Sequence, residues 1–140
     1  MSKARERRMR EMRGRIGILF RGGTDGARVT AYVRGAAEAG FELKAILPER
    51  AGDPLLQAAL CYRLLQLDYD AAVVHPEDPT NLAGRIRGAL SHRPVFDVGP
   101  GTQPGLLSDV PGYHPVPVTP GTDLEEEVRT VVNALSAAGL

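Results

Sequence analysis

The chain has 140 residues, with 17 Lys and Arg against 17 Asp and Glu, 43% hydrophobic residues and 5% aromatics, the profile of one ordinary globular domain. No apolar run approaches the roughly 18 residues that span a bilayer, and charges stand where a signal peptide carries its apolar core, so a cytoplasmic location without membrane contact is expected. The single cysteine, Cys61, forms no internal disulfide and, without clustered histidines, anchors no zinc site.

The balanced charge hides two unlike parts. Residues 1–15 carry seven bases and two acids, a net +5, which leaves residues 16–140 at −5. We read 1–15 as a basic N-terminal arm and 16–140 as a single α/β domain. The plainest role for the arm is a solvated, partly helical extension. Weak contact with nucleic acid through phosphates, or with the acidic body of a neighbouring subunit, is the alternative.

From Arg15 onward strand and helix signals alternate. Ile16 to Phe20 is a short apolar run followed by the turn Arg21-Gly22-Gly23-Thr24-Asp25-Gly26, after which Val29, Val33, Ala36 and Ala37 repeat with the spacing of one helix face until Gly40. Phe41 to Leu47 is the second strand. Asp53-Pro54 caps a helix with Leu56, Leu60, Leu64 and Leu67 as its stripe, and Cys61 within it reads as a core thiol. Ala71 to Val74 is uniformly apolar, as expected at the centre of a parallel sheet. Asp78-Pro79 caps a helix carrying Leu82, Ile86 and Leu90, and Pro94 to Val98 is the fourth strand. A Gly/Pro-rich connection spans 99–115, Val116 and Val118 suggest a fifth strand, and Thr122 with Glu125 forms a capping-box pattern before Leu124, Val128, Val131, Val132 and Leu135.

Five strands alternating with four helices imply an open, flavodoxin-like parallel sheet of order 2-1-3-4-5 with helices on both faces. The expected core is Ile18, Val33, Leu56, Leu60, Val73, Val74, Ile86, Leu90, Val95, Val128 and Leu135. In such sheets ligands bind outside the carboxyl ends of the strands, where the first and third strands diverge. Arg21, Thr24, Asp25, His75, Asp78 and Thr102 end different strands and are expected to converge there. Arg21 offers a planar pair of donors, and the amides of Gly22 and Gly23 add to it, which favours a polar or anionic ligand.

The turn is an incomplete dinucleotide fingerprint, because Arg21 stands where its first glycine belongs, and Glu49 alone is weak support for a ribose contact. His75 is the candidate acid or base if the chain is an enzyme, and if its pKa stays near the reference of roughly 6.5, ligand binding is expected to change between about pH 5.5 and 7.5. A hydrogen-bonded structural histidine is the plainer reading, since no Ser or Cys nucleophile stands beside it. His92 and His114 lack metal-ligand spacing, and neither metal nor cofactor is expected.

Residues 16–98 resemble the first lobe of type I periplasmic sugar-binding proteins and of lactose-repressor-like effector domains. The likeness lies in Ile16-Gly17-Ile18-Leu19, Arg34-Gly35 with Glu38-Ala39-Gly40-Phe41, Asp53-Pro54, Asp70-Ala71-Ala72-Val73-Val74 with Pro76, and Pro94-Val95. It implies a sugar-like ligand. It also implies a homo-oligomer, because the surface that a second lobe covers needs another partner; the Gly/Pro connection and the arm are expected to add contacts. The chain is also similar to type II dehydroquinases, with His75-Pro76-Glu77-Asp78-Pro79-Thr80-Asn81 at that family's Asn-Pro-Gly-Ala-Tyr-Thr-His and Asp97-Val98-Gly99 at its Glu-Val-His. Asn81 and Gly99 replace both motif histidines, so that resemblance implies loss of the parent activity. The expected function is therefore a non-catalytic module for a small polar, sugar-like or anionic molecule, the alternative being a diverged lyase or dehydratase that uses His75 and a crevice carboxylate.

Overall fold

The computed structural model describes residues 12–66, 68–78, 82–84, 86–87, 93–99 and 110–140. Its strands are β1 (Gly14–Leu19), β2 (Phe41–Ile46), β3 (Ala71–Val74), β4 (Val95–Val98) and β5 (Tyr113–Val116). They form one parallel sheet in the order β2-β1-β3-β4-β5. The helices are α1 (Gly26–Glu38), α2 (Pro54–Gln66) and α3 (Leu124–Ala137), and residues 82–84 and 86–87 are helical as well.

Alternation along the strands divides the interior into two layers. Ile16, Ile18, Phe20, Val73, Phe96 and Val98 pack with Tyr32 and Ala36 of α1 and with Val128, Val131 and Leu135 of α3. On the other face Leu19, Ala72, Val74 and Val95 pack with Cys61 and Leu64 of α2 and with Leu82 and Ile86. The central strand β3 is buried along its whole length, as its uniform composition requires. Cys61 is a core thiol.

Two helix faces differ from expectation. Val33 of α1 is 39% exposed, and Tyr32 takes the buried position beside Ala36. On α2, Leu56 and Leu60 are only half-buried, while Gln57, Ala58, Cys61 and Leu64 face inward. Both helices are rich in apolar or small residues on several sides, so periodicity alone leaves the phase of the buried stripe ambiguous by one residue.

The caps explain where the helices begin. Asp25 accepts from the Arg28 amide at 2.8 Å, and Asp53 accepts from the Leu56 amide at 3.0 Å. For α3 the cap is Asp123, which accepts from the Glu126 amide at 2.8 Å, and not Thr122, whose hydroxyl donates to the Thr119 carbonyl at 2.7 Å. This phase puts Glu125, Glu126 and Glu127 in the first turn, where the helix dipole favours acids. The fifth strand also begins earlier than expected, at Tyr113, and includes Val116 but not Val118. As an edge strand it tolerates Pro115.

At the start of the chain's described part, Gly14 and Arg15, counted with the arm on charge, already belong to β1, which lies between β2 and β3. The Arg15 amide donates to Asp70 Oδ2 at 2.8 Å. Arg13 lies over the Phe41 ring and bonds to Ser136 Oγ and the Leu140 carbonyl oxygen. Residues 1–11, Leu67, Pro79, Leu90, His92 and 100–109, Thr102 among them, lie outside the described residues.

Candidate functional site

The carboxyl ends of four strands open onto one crevice of about 370 Å³ on the α1–α3 side of the sheet. Phe20 and Arg21 reach it from the end of β1, His75 from β3 and Gly99 from β4, while the connection from β5 to α3 supplies Thr119 to Thr122. Arg28 from the first turn of α1 and Glu127 from the first turn of α3 complete its wall. The volume is within the range of small-molecule sites, roughly 300–1,000 Å³.

Beside the crevice lies a cluster of buried polar and aromatic groups. His75 stacks on Phe20 with ring centroids 5.3 Å apart and meets Tyr32 edge-on at 5.3 Å. Tyr32 Oη and Arg28 Nη1 both donate to Glu127 Oε2 at 2.5 Å. Among the described residues, Glu127 Oε1 and Arg28 Nη2 have no protein partner, and His75 Nε2 is buried with none.

Burial pushes His75 down to about 4; Glu127 pulls it upward, but the charges of Arg21 and Arg28 reinforce the fall. The imidazole is therefore neutral at physiological pH, and the condition on which binding is expected to change between about pH 5.5 and 7.5, a pKa near the reference, is not met. Burial pulls Glu127 upward, but the bonds from Tyr32 and Arg28, helped by the charge of Arg28, outweigh it and hold the carboxyl below its usual range. Burial and the bond to Glu127 push the Tyr32 phenol well up. At neutral pH the cluster thus consists of a carboxylate, a guanidinium, a neutral imidazole and a neutral phenol.

Of the residues singled out in the sequence, Arg21, Thr24 and His75 line the crevice. Arg21 donates from Nε to the Pro76 carbonyl at 3.1 Å, and its two terminal nitrogens have no acceptor among the described residues. Thr24 donates from Oγ1 to the Arg21 carbonyl at 2.7 Å. Gly22, Gly23, Asp25 and Asp78 are not part of the lining. The Gly22 amide, expected to meet a ligand, donates to Glu77 Oε1 at 2.9 Å, so the turn holds an anion that the protein itself supplies. The glycines have steric reasons of their own. A Cβ on Gly22 would lie 1.9 Å from the Arg50 carbonyl oxygen, and Gly23 has φ +79°. Asp25 is the α1 cap, and Glu49 is exposed away from the crevice.

Arg28, Tyr32 and Glu127 did not emerge from the sequence, although Glu127 carried a signal. It stands four residues before Val131 and eight before Leu135, on the buried stripe of α3, and an acid on such a stripe needs a partner. Gln57 carried the same signal, four before Cys61 and seven before Leu64. Its Nε2 donates to the Phe20 and His75 carbonyls at 3.1 and 2.7 Å, and its Oε1 accepts from the Glu77 amide at 2.7 Å. It ties together the two chain segments that leave β1 and β3. Among the described residues no group of three or more His, Cys, Asp or Glu side chains could hold a metal ion, and no helix is long and apolar enough to cross a membrane.

No protein-family model matches the sequence, and no curated protein does. Solved structures match the fold. A periplasmic solute-binding protein of an ABC transporter from Actinobacillus succinogenes 130z, with bound D-allose, aligns at TM-score 0.61 and 13% identity over 89% of this chain and 55% of that one. The chain thus spans about half the length of that protein. The chemotaxis response regulator CheY4 of Vibrio cholerae aligns at TM-score 0.52 and 13% identity, over 87% and 97% of the two chains. A solute-binding protein from Bacillus halodurans C-125 with bound myo-inositol aligns at TM-score 0.46 and 17% identity over 66% of this chain and 33% of that one. None of these three is a dehydroquinase. The fold is flavodoxin-like, of the kind seen in response regulators and in solute-binding protein lobes.

Proposed function

We propose that the chain is a non-catalytic binding module whose crevice takes a small polyhydroxylated molecule, with an anionic group as an optional addition. The observation that carries this reading is the set of open hydrogen-bonding positions around Glu127. The carboxylate spends both of its protein bonds on Oε2, and Arg28 beside it keeps Nη2 available. An acceptor beside a donor matches neighbouring hydroxyls, each of which both donates and accepts. The neutral His75 ring adds a further polar group without a charge. Arg21, with both terminal nitrogens open, is placed for a carboxylate or phosphate at the outer end of the same ligand. The D-allose held by a protein of the same fold supports the ligand class.

The lyase alternative is less well served. A histidine whose charged form is disfavoured by burial is a poor proton acceptor and, being neutral at pH 7, supplies no proton either, and Tyr32, with its phenol pushed up and bound to a carboxylate, holds its proton firmly.

Calorimetric titration of the full chain against monosaccharides, linear polyols and sugar phosphates tests the proposal. At least one polyhydroxylated compound is expected to bind. Arg28→Met should weaken it about tenfold or more, the cost of leaving polar groups unpaired. Arg21→Ala should weaken only the phosphorylated members. A panel that gives neither heat nor a thermal shift would overturn the reading.

A further inference from the structure

A second concavity, of about 710 Å³, shares no lining residue with the crevice and lies between α1 and α3. One wall is Ala31 and Gly35 of α1 with Ala39 at its C-terminal cap, a turn apart, and the other is Leu124, Val128 and Val132, a turn apart on α3. The helices run the same way, because each follows a parallel strand and returns along the sheet. Gly35 and Val128 mark a common level, since a Cβ on Gly35 would lie 2.4 Å from Val128 Cγ1. That close approach accounts for a glycine in mid-helix, where it is otherwise about 1 kcal/mol worse than alanine.

The rims of this apolar groove carry four charges in a pattern. Arg34 precedes Glu38 by four residues on α1, and Glu125 precedes Arg129 by four on α3. A two-fold axis in the plane of this face, perpendicular to the helices and at the level of Gly35 and Val128, reverses the order along each helix. Arg34 then meets the partner subunit's Glu38, and Glu125 meets the partner subunit's Arg129. The midpoint of each pair falls within one residue of the axis, about 1.5 Å along a helix. The facing residues are therefore displaced by about 3 Å along the helices, twice the midpoint offset, which long side chains absorb.

From this self-complementarity we propose that the chain forms an isologous dimer through the α1–α3 groove, with the helices of the two copies antiparallel. Two helices of three to four turns present a face roughly 20 Å by 20 Å. This is at the small end for a specific interface, so the dimer is weak and concentration-dependent. The apolar walls supply the association, and the ion pairs, being at a rim, set its direction more than its strength. Glu125 and Arg129 already pair within α3 at 3.5 Å while exposed, and in the dimer each gains a second opposite charge.

Sedimentation velocity on the full chain, from a few to a few hundred micromolar, tests the proposal independently of any ligand. Reversible dimerisation that weakens with added salt is expected. Arg129→Glu and Glu125→Arg should each raise the dissociation constant about tenfold, because like charges then meet across the axis. An equimolar mixture of these two variants should recover the parent association, and so should the double exchange on one chain. Val132→Glu should abolish it. A parent that stays monomeric throughout, charge variants that associate as the parent does, or mixed variants that show no recovery would each overturn the proposal.

Discussion

Gln57 on α2 and Glu127 on α3 occupy corresponding situations on opposite faces of the sheet. Each is a polar side chain on the buried stripe of a helix, 1% and 8% exposed, close to the carboxyl ends of β1 and β3. Their bonding differs. Gln57 directs both amide hydrogens to backbone carbonyls and its oxygen to a backbone amide, so it ends wholly within the protein. Glu127 gathers two donors on one oxygen and, among the described residues, leaves the other open beside a crevice. Burial of a polar group therefore does not by itself mark a site. A closed network fixes the two chain ends relative to each other, and an open one leaves positions that a ligand can complete.

The largest effect expected from breaking this comparison is on the closed side. Gln57→Leu keeps the apolar volume but strands the Phe20 and His75 carbonyls and the Glu77 amide. At roughly 1–2 kcal/mol for each buried group left unpaired, the loss should be about 3–6 kcal/mol, a large share of a typical total of roughly 5–15. Urea unfolding would measure it. A loss under about 1 kcal/mol would mean that water replaces the side chain and that the network is not closed.

The open side should be visible in acid. His75 falls from an ordinary 6.5 to about 4 on folding, because burial disfavours its charge. Between those values the unfolded chain holds a proton that the folded chain lacks, so stability is present above pH 6.5 and is lost as pH falls toward 4. The loss amounts to about 3 kcal/mol. His75→Phe, which preserves the stack on Phe20, should flatten the unfolding free energy over that window. Glu127 is held below its ordinary value and contributes its own loss at lower pH. Ligand binding should accordingly be nearly constant between about pH 5.5 and 7.5, where an unshifted histidine would change charge. A midpoint near 6.5 in the binding curve would contradict the burial of His75.

Glu127→Gln sharpens the contrast further. The amide oxygen still accepts from Tyr32 and Arg28, so stability should fall by only about 1 kcal/mol. Binding of a polyol should fall about tenfold, because the amide oxygen stays with Tyr32 and Arg28 and the open acceptor position becomes an NH2 donor. The two variants should thus separate, Gln57→Leu acting on stability and Glu127→Gln on binding. Equal effects of both on stability would make Glu127 a structural residue like Gln57.

The order of the sheet and most of its strands were legible because β1, β3 and β4 are short, largely apolar runs between turn residues and β3 admits no amphipathic reading, whereas β5, with the sequence Tyr113-His114-Pro115-Val116, carries no such signal and was placed too late. Arg21, Thr24 and His75 could be placed near one edge from topology alone, since each ends or closely follows a strand. Arg28, Tyr32 and Glu127 lie on helices, and their convergence depends on the rotation of α1 and α3 about their axes. That rotation was not readable for α1, where Ala, Gly and Val surround the helix and Tyr32 counts as apolar or polar depending on its hydroxyl. The unpaired valences of the site depend on side-chain geometry, which no spacing rule carries. The Gly22-Gly23 turn shows the reverse case, in which the chemistry was legible and the occupant was not. Its amide does hold an anion, and the anion is Glu77.

The smallest expected effect concerns the start of α3, which sets the rotation that brings Glu127 to the crevice. The sequence pattern names Thr122 as the cap with Glu125 as its reciprocal partner, whereas the structure gives the role to Asp123. A cap lost to alanine typically costs about 1 kcal/mol, within a range of roughly 0.5–2. Asp123→Ala should fall in that range. Thr122→Ala removes only an exposed hydroxyl bond to the Thr119 carbonyl and should cost a few tenths, about the scatter of surface substitutions. Asp123→Ala should also weaken polyol binding slightly by loosening the first turn, while Thr122→Ala tests whether a crevice-lining hydroxyl touches the ligand at all. If the order of the two stability losses were reversed, the helix would begin one residue earlier. Glu127 would then move from the fourth to the fifth position after the cap, and Glu125 would take the reciprocal bond that the capping-box pattern assigns it.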